Sequence, residues 1–202
     1  MLNILRIHWN DRIVSSITSC KLHTMKIYLA RHGRSNYNDL VLCNSDPTVD
    51  VHLTPTGIEQ SKVLAEKLKT TPIDHIFASE LRRTQQTAEI VNAYHNLQLD
   101  IDARLNDGSS GFEGKPYEEY TTALAAAPDR WTASFNGGES IEDMKKRVAD
   151  YLDDLRAKNY QSVLIITSQW IISAIMALVN DLSNEQAWNL EVEQGSFLEI
   201  EM

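Results

Sequence analysis

The chain is short of cysteine, of positive charge and of long apolar runs, and each shortage removes a class of protein. Cys20 and Cys43 are its two cysteines. Two thiols without CxxC or Cys/His spacing build neither a disulfide framework nor a structural zinc site, and they predict free thiols in a reducing cytoplasm. Lys and Arg number 19 against 28 Asp and Glu, a formal net charge of −9. That balance argues against a nucleic-acid partner, because phosphate-backbone binding relies on clustered Lys and Arg. Residues 159–180 carry no charge, but Thr167-Ser168-Gln169 interrupts them, and a β-branched half precedes an Ala/Met/Leu half. A spanning helix needs about 20 apolar residues, so this stretch predicts a buried strand followed by a buried helix, and no membrane association. Arg6, His8, Asp11 and Arg12 break up the early apolar residues, so no secretory signal is expected. Internal repeats and low-complexity blocks are also lacking.

What is present suits one soluble domain: 202 residues, 43% hydrophobic and 23% charged. Residues 1–24 have no clear period and a net charge of +2, and predict an N-terminal extension, loosely ordered or an upstream start. The domain is expected over residues 25–202. Ile27-Tyr28-Leu29-Ala30, His75-Ile76-Phe77-Ala78, Val163-Leu164-Ile165-Ile166 and Phe197-Leu198-Glu199-Ile200 read as strands. Helices are expected between them. Thr54 caps one that starts at Pro55 and runs to about Leu68. Another carries Thr87, Ile90, Val91 and Tyr94 on one face. A third follows Ser140 and buries Ile141, Met144, Val148, Leu152 and Leu155. Strands alternating with helices, and a continuously apolar Val163–Ile166, predict an α/β three-layer sandwich around a mostly parallel central sheet.

In such a sheet, ligands bind beyond the carboxyl ends of strands. Arg31-His32-Gly33 lies at that point, directly after the first apolar run. An imidazole with an ordinary pKa of about 6.5 offers a free ring nitrogen at neutral pH, and a guanidinium beside it can hold a phosphoryl group by paired, charge-assisted hydrogen bonds. The acidic chain can therefore still contain a local anion site, since Arg31, Arg34, Arg82 and Arg83 gather at two motif positions.

Five patterns coincide along the chain: Arg31-His32-Gly33 with Ser35 and Asn38; Leu53-Thr54 with Gly57 and Gln60; Ser79, Leu81, Arg83 and Gln86-Thr87-Ala88; Asp107 with Gly111 and Glu113-Gly114; and Gly137-Gly138-Glu139-Ser140. Together they resemble the histidine phosphatase superfamily, the phosphoglycerate mutase-like family. The resemblance implies phosphoryl transfer through a phosphohistidine on His32, with no metal and no cofactor. It implies that Arg31, Arg83 and Asn38 hold the phosphate, and that Asp107 protonates the departing oxygen. For Glu113 and Glu139 a supporting or capping role is equally open, and Arg82 reads as a surface ion pair.

The pattern departs after Ile166, where the family has Ser or Thr and then His-Gly-Gly. This chain reads Thr167-Ser168-Gln169-Trp170, so Ser168 takes the place of the second histidine; it can donate a hydrogen bond but brings no positive charge. Ser168 is also a natural helix N-cap, Gln169 is a candidate substitute donor, and Arg34 is a candidate source of compensating charge. The expectation is a phosphomonoesterase acting on a small phosphorylated metabolite, with a slower rate for want of that histidine. The alternatives are an impaired relative that only binds a phosphorylated ligand, and a phosphatase of protein phosphohistidines.

Overall fold

Side-chain alternation along the buried central strands builds the domain. In the computed structural model, which describes residues 24–202, five strands form one sheet: β1 (Lys26–Arg31), β2 (His75–Ala78), β3 (Leu99–Ile101), β4 (Ser162–Thr167) and β5 (Phe197–Glu201). Their order is β3-β2-β4-β1-β5. All neighbours are parallel except β5, which closes the β1 edge antiparallel. Cys20 and almost all of the expected N-terminal extension lie outside the described residues.

Because successive residues point to opposite faces, β1 and β4 feed two cores. Ile27, Leu29, Val163 and Ile165 pack on one side with Met144, Val148 and Leu152 of α5 (Ile141–Arg156) and Ile171, Ile172 and Ile175 of α6 (Gln169–Asn180). Tyr28, Ala30, Leu164 and Ile166 pack on the other with Leu64 and Leu68 of α2 (Pro55–Leu68) and Ala88 and Val91 of α3 (Arg82–Asn92). This is the expected helix–sheet–helix layering. No helix among the described residues is long and apolar enough to cross a membrane.

The local signals act as chemistry predicts. Thr54 Oγ1 accepts a 3.1 Å bond from Gly57 N to open α2, and Ser140 Oγ accepts from Asp143 N to open α5. The face expected for α3 is rotated: Arg83, Thr84, Thr87, Ala88 and Val91 are buried, whereas Tyr94 lies past the helix end and is exposed. Arg83 and Thr84, polar residues outside that apolar face, both turn inward. Three helices carry weak patterns and were not expected: α1 (Asn36–Leu40), α4 (Tyr117–Ala126), which buries only Leu124, and α7 (Asn184–Trp188).

Two glycines lock the turn that leaves β1. A Cβ on Gly57 would lie 2.0 Å from the Arg34 carbonyl oxygen, and one on Gly33 would lie 2.3 Å from the Gly57 oxygen. The backbone after His32 therefore rests directly on the first turn of α2. Gly57→Ala is expected to lose about 1–3 kcal/mol through this overpacking. Urea unfolding reads the loss; an unchanged midpoint would show that the two segments are not in contact.

Candidate active site

β1 and β4 are adjacent and parallel, with Arg31 opposite Thr167, so the residues that follow them, His32 and Ser168, emerge side by side at the carboxyl edge. His32 N donates to the Thr167 carbonyl at 3.1 Å, tying the two exits together. The His32 ring is 3% exposed. Its Nδ1 is 2.7 Å from the Gly33 carbonyl, which can only accept, so the ring proton resides on Nδ1. That leaves the lone pair on Nε2, where Arg83 Nε donates at 3.2 Å. Burial, then the Arg83 charge, hold the imidazole pKa well below its usual value. His32 is thus a neutral base with its free nitrogen beside a guanidinium.

Arg83 enters from the first turn of α3 and is 4% exposed. Its Nη1 donates to Asn44 Oδ1 at 2.7 Å and its Nη2 to the Asn44 carbonyl at 2.9 Å. Asn44 therefore sets the plane of the guanidinium, a role that its loop position does not advertise in the sequence. Arg31 Nη1 donates to the Val192 carbonyl at 2.7 Å and to Gln169 Oε1 at 3.3 Å, while its Nε is buried with no partner.

Asp107 lies within reach of Arg83 Nη2 at 3.5 Å, and its side chain is 22% exposed. Burial raises its pKa above the usual carboxylate value, and Arg83 and the Gly108 amide only partly oppose this. Ser168 holds the N-cap backbone position of α6 but does not use its hydroxyl as a cap. The buried Oγ is instead turned to Asp107, close enough to steady the carboxylate form. Asn38 spends its amide oxygen on Ser35 N and Oγ, each at 3.0 Å, in the capping box of α1. Its expected phosphate contact is thereby restricted to the amide nitrogen.

Arg31, His32, Asn38, Arg83, Asp107 and Ser168 all line one cavity of about 820 Å³. Two neighbouring expectations change, those for Gln169 and Arg34. Gln169 is no substitute donor, because its oxygen receives Arg31 and Val192 N while its nitrogen donates to Ser173 and Leu190. It positions Arg31 and the chain around Val192 instead. Arg34 is paired with Asp39 away from the cavity wall. Trp170 both lines the cavity and packs on Trp188, with ring centroids 4.4 Å apart.

Others behave as read. Arg82 pairs with Asp50 at 2.6 Å on the surface. Glu113 receives Ser45, and Glu139 takes Arg147 in a two-point ion pair and Ser109 N at 3.0 Å, so both organise loops. Cys43 is a buried free thiol on the same wall.

Comparison with known proteins agrees with this arrangement. A curated protein of Hydrogenobacter thermophilus, named provisionally as phosphoserine phosphatase 2, is 30% identical over 183 residues, covering 88% of this chain and 89% of its own. The adenosylcobalamin/alpha-ribazole phosphatase of Salmonella typhimurium is 27% identical, over 88% of this chain and 91% of its own. Among solved structures, the alpha-ribazole phosphatase of Shigella flexneri superposes with a TM-score of 0.77 at 27% identity, over 87% and 89% of the two chains. A phosphoglycerate mutase of Bacillus anthracis shares the fold, with a TM-score of 0.75. The family model described as histidine phosphatase superfamily (branch 1) matches residues 27–202. With the motifs, the strand-end histidine and these relatives in agreement, the chain belongs to the histidine phosphatase superfamily.

Proposed function

We propose that the protein is a phosphomonoesterase that passes the phosphoryl group through His32 Nε2. One observation carries the reading: a buried donor on the cavity wall, Arg31 Nε, lacks a partner beside a histidine whose Nε2 lone pair faces the Arg83 guanidinium. Buried donors are nearly always satisfied, and a phosphoryl oxygen would satisfy this one.

In the first step the Nε2 lone pair attacks phosphorus in line and the P–O bond to the alcohol breaks. Asp107, whose hold on a proton burial strengthens, gives that proton to the leaving oxygen. Arg83 and Arg31 hold the equatorial oxygens, and the Gly33 carbonyl steadies the ring as it becomes positively charged. In the second step water attacks the phosphohistidine, the N–P bond breaks, and the Asp107 carboxylate takes the water proton. Charge is handled by guanidinium groups throughout, so no metal is required. Ser168 supplies one neutral donor where the resemblance places a histidine, which supports turnover at a reduced rate. The same substitution motivates a second reading, a phosphate-ligand-binding relative without turnover.

His32→Ala is expected to abolish phosphate release from 4-nitrophenyl phosphate measured with chelator present, and wild-type activity is expected to survive the chelator. Retained release in the variant would remove His32 from the chemistry. Tight phosphate binding by a wild type that never hydrolyses the ester would select the second reading.

Asp107→Asn tests the acid. For alkyl esters kcat is expected to fall about 10²–10⁴-fold, with a far smaller loss for 4-nitrophenyl phosphate, whose leaving group needs no proton. The sign of the pH dependence follows from the raised carboxyl and lowered imidazole pKa values. In the wild type, kcat/KM for alkyl esters is expected to fall as rising pH strips the proton from Asp107, and on the acid side only once pH drops below the lowered His32 value. Equal losses for both kinds of ester would assign the proton to another group.

A further inference from the structure

Beyond the phosphate-holding end, the cavity wall is aromatic and acidic. Trp170 and Trp188 line it, and Trp131 stacks edge-on behind Trp188 with centroids 5.7 Å apart. Tyr117 and Tyr120 supply another stretch, with centroids 6.2 Å apart. The Trp170 indole approaches the Tyr117 hydroxyl, so the two groups form one continuous surface. Burial raises both phenol pKa values, that of Tyr120 to about 12, so these rings stay uncharged at any ordinary pH.

The charges on the wall point the same way. Among the described residues, Arg31 and Arg83 are its only Lys or Arg side chains, and both are placed at the phosphate end. Glu191 and Glu193 also line the cavity; Glu191 lies near enough to act on the Arg31 charge, and neither carboxylate forms a close ion pair with a described residue. A second anionic group on a substrate would meet carboxylates and find no cation.

The rim adds an independent sign. Val41 caps α1 in the left-handed region at φ 53°, ψ 46°, a conformation that a β-branched side chain tolerates poorly. It is nonetheless 61% exposed and lines the cavity mouth next to Leu42. An apolar side chain held out at a strained, wet position gains nothing from the core and is available to a ligand.

We infer that the substrates are phosphate monoesters whose alcohol carries a planar, uncharged aromatic group, and that phosphorylated carboxylic acids are disfavoured. The inference rests on the phosphatase reading above. The ring would lie against the Trp170–Trp188 and Tyr117 surface, with Val41 closing over its outer edge, while the phosphate reaches His32. Flat rings gain both area burial and edge or face contact on such a wall.

The test compares esters of primary alcohols with similar leaving groups, so that differences report recognition. 2-Phenylethyl phosphate is expected to show kcat/KM at least about tenfold above O-phosphoserine, and also above phosphocholine. In Val41→Asn, a residue at ease in the left-handed region, the unfolding midpoint is expected to hold or rise while KM for 2-phenylethyl phosphate rises roughly fivefold. Glu193→Lys is expected to raise kcat/KM for O-phosphoserine several-fold. Equal or better turnover of O-phosphoserine or phosphocholine by the wild type overturns the inference and leaves the phosphatase intact. An enzyme inert toward every ester, 4-nitrophenyl phosphate included, overturns both.

Discussion

The contact on which the site depends is the 2.7 Å bond between His32 Nδ1 and the carbonyl of the next residue, Gly33. It decides the tautomer, and the tautomer decides which nitrogen can attack. With Nδ1 protonated, Nε2 faces the Arg83 guanidinium, and the dry surroundings, then the nearby positive charge, disfavour a second proton on the ring. The bond requires the Gly33 carbonyl to hold one orientation. Gly33 N donates to Thr87 Oγ1 at 3.2 Å, and its α-carbon rests on Gly57, so α2 and α3 both fix that orientation.

The sheet turns this local device into a site. Parallel pairing of β1 with β4 places His32 and Ser168 at one edge, β2 leads through a short turn to Arg83 at the head of α3, and β3 leads to Asp107. Four segments far apart in sequence therefore converge without any of them crossing the core. Each charged group is then steadied by a neighbour that does no chemistry: Asn44 for Arg83, Gln169 for Arg31, the Gly108 amide for Asp107. Such positioning matters because a guanidinium aimed in advance costs no reorganisation when charge develops.

The sequence was most legible where period and capping agree. Pro55–Leu68 and His75–Ala78 emerge with the boundaries expected of them, because a Thr-Pro start and an apolar run bounded by polar residues leave little freedom. The three-residue β3, half-exposed, and α4, with one buried side chain, carry no period strong enough to read. At the site, His32, Arg31, Arg83, Asp107 and Ser168 were nameable from motif position, whereas their partners were not. Asn44 acts through a backbone carbonyl as much as its amide, and Val192 acts only through its carbonyl, an atom every residue possesses. Gln169 was visible only as a candidate donor, since nothing local revealed that residues 190–192 would occupy both ends of its amide.

The most direct measurement is a ¹⁵N NMR titration of the histidine-labelled protein, with the His32 ring signals assigned by their loss in His32→Gln. The predicted result is a protonated Nδ1 and an unprotonated Nε2 across mildly acid and neutral pH, with titration well below the usual histidine range. A ring that is cationic at neutral pH, or one whose proton sits on Nε2, would contradict the account.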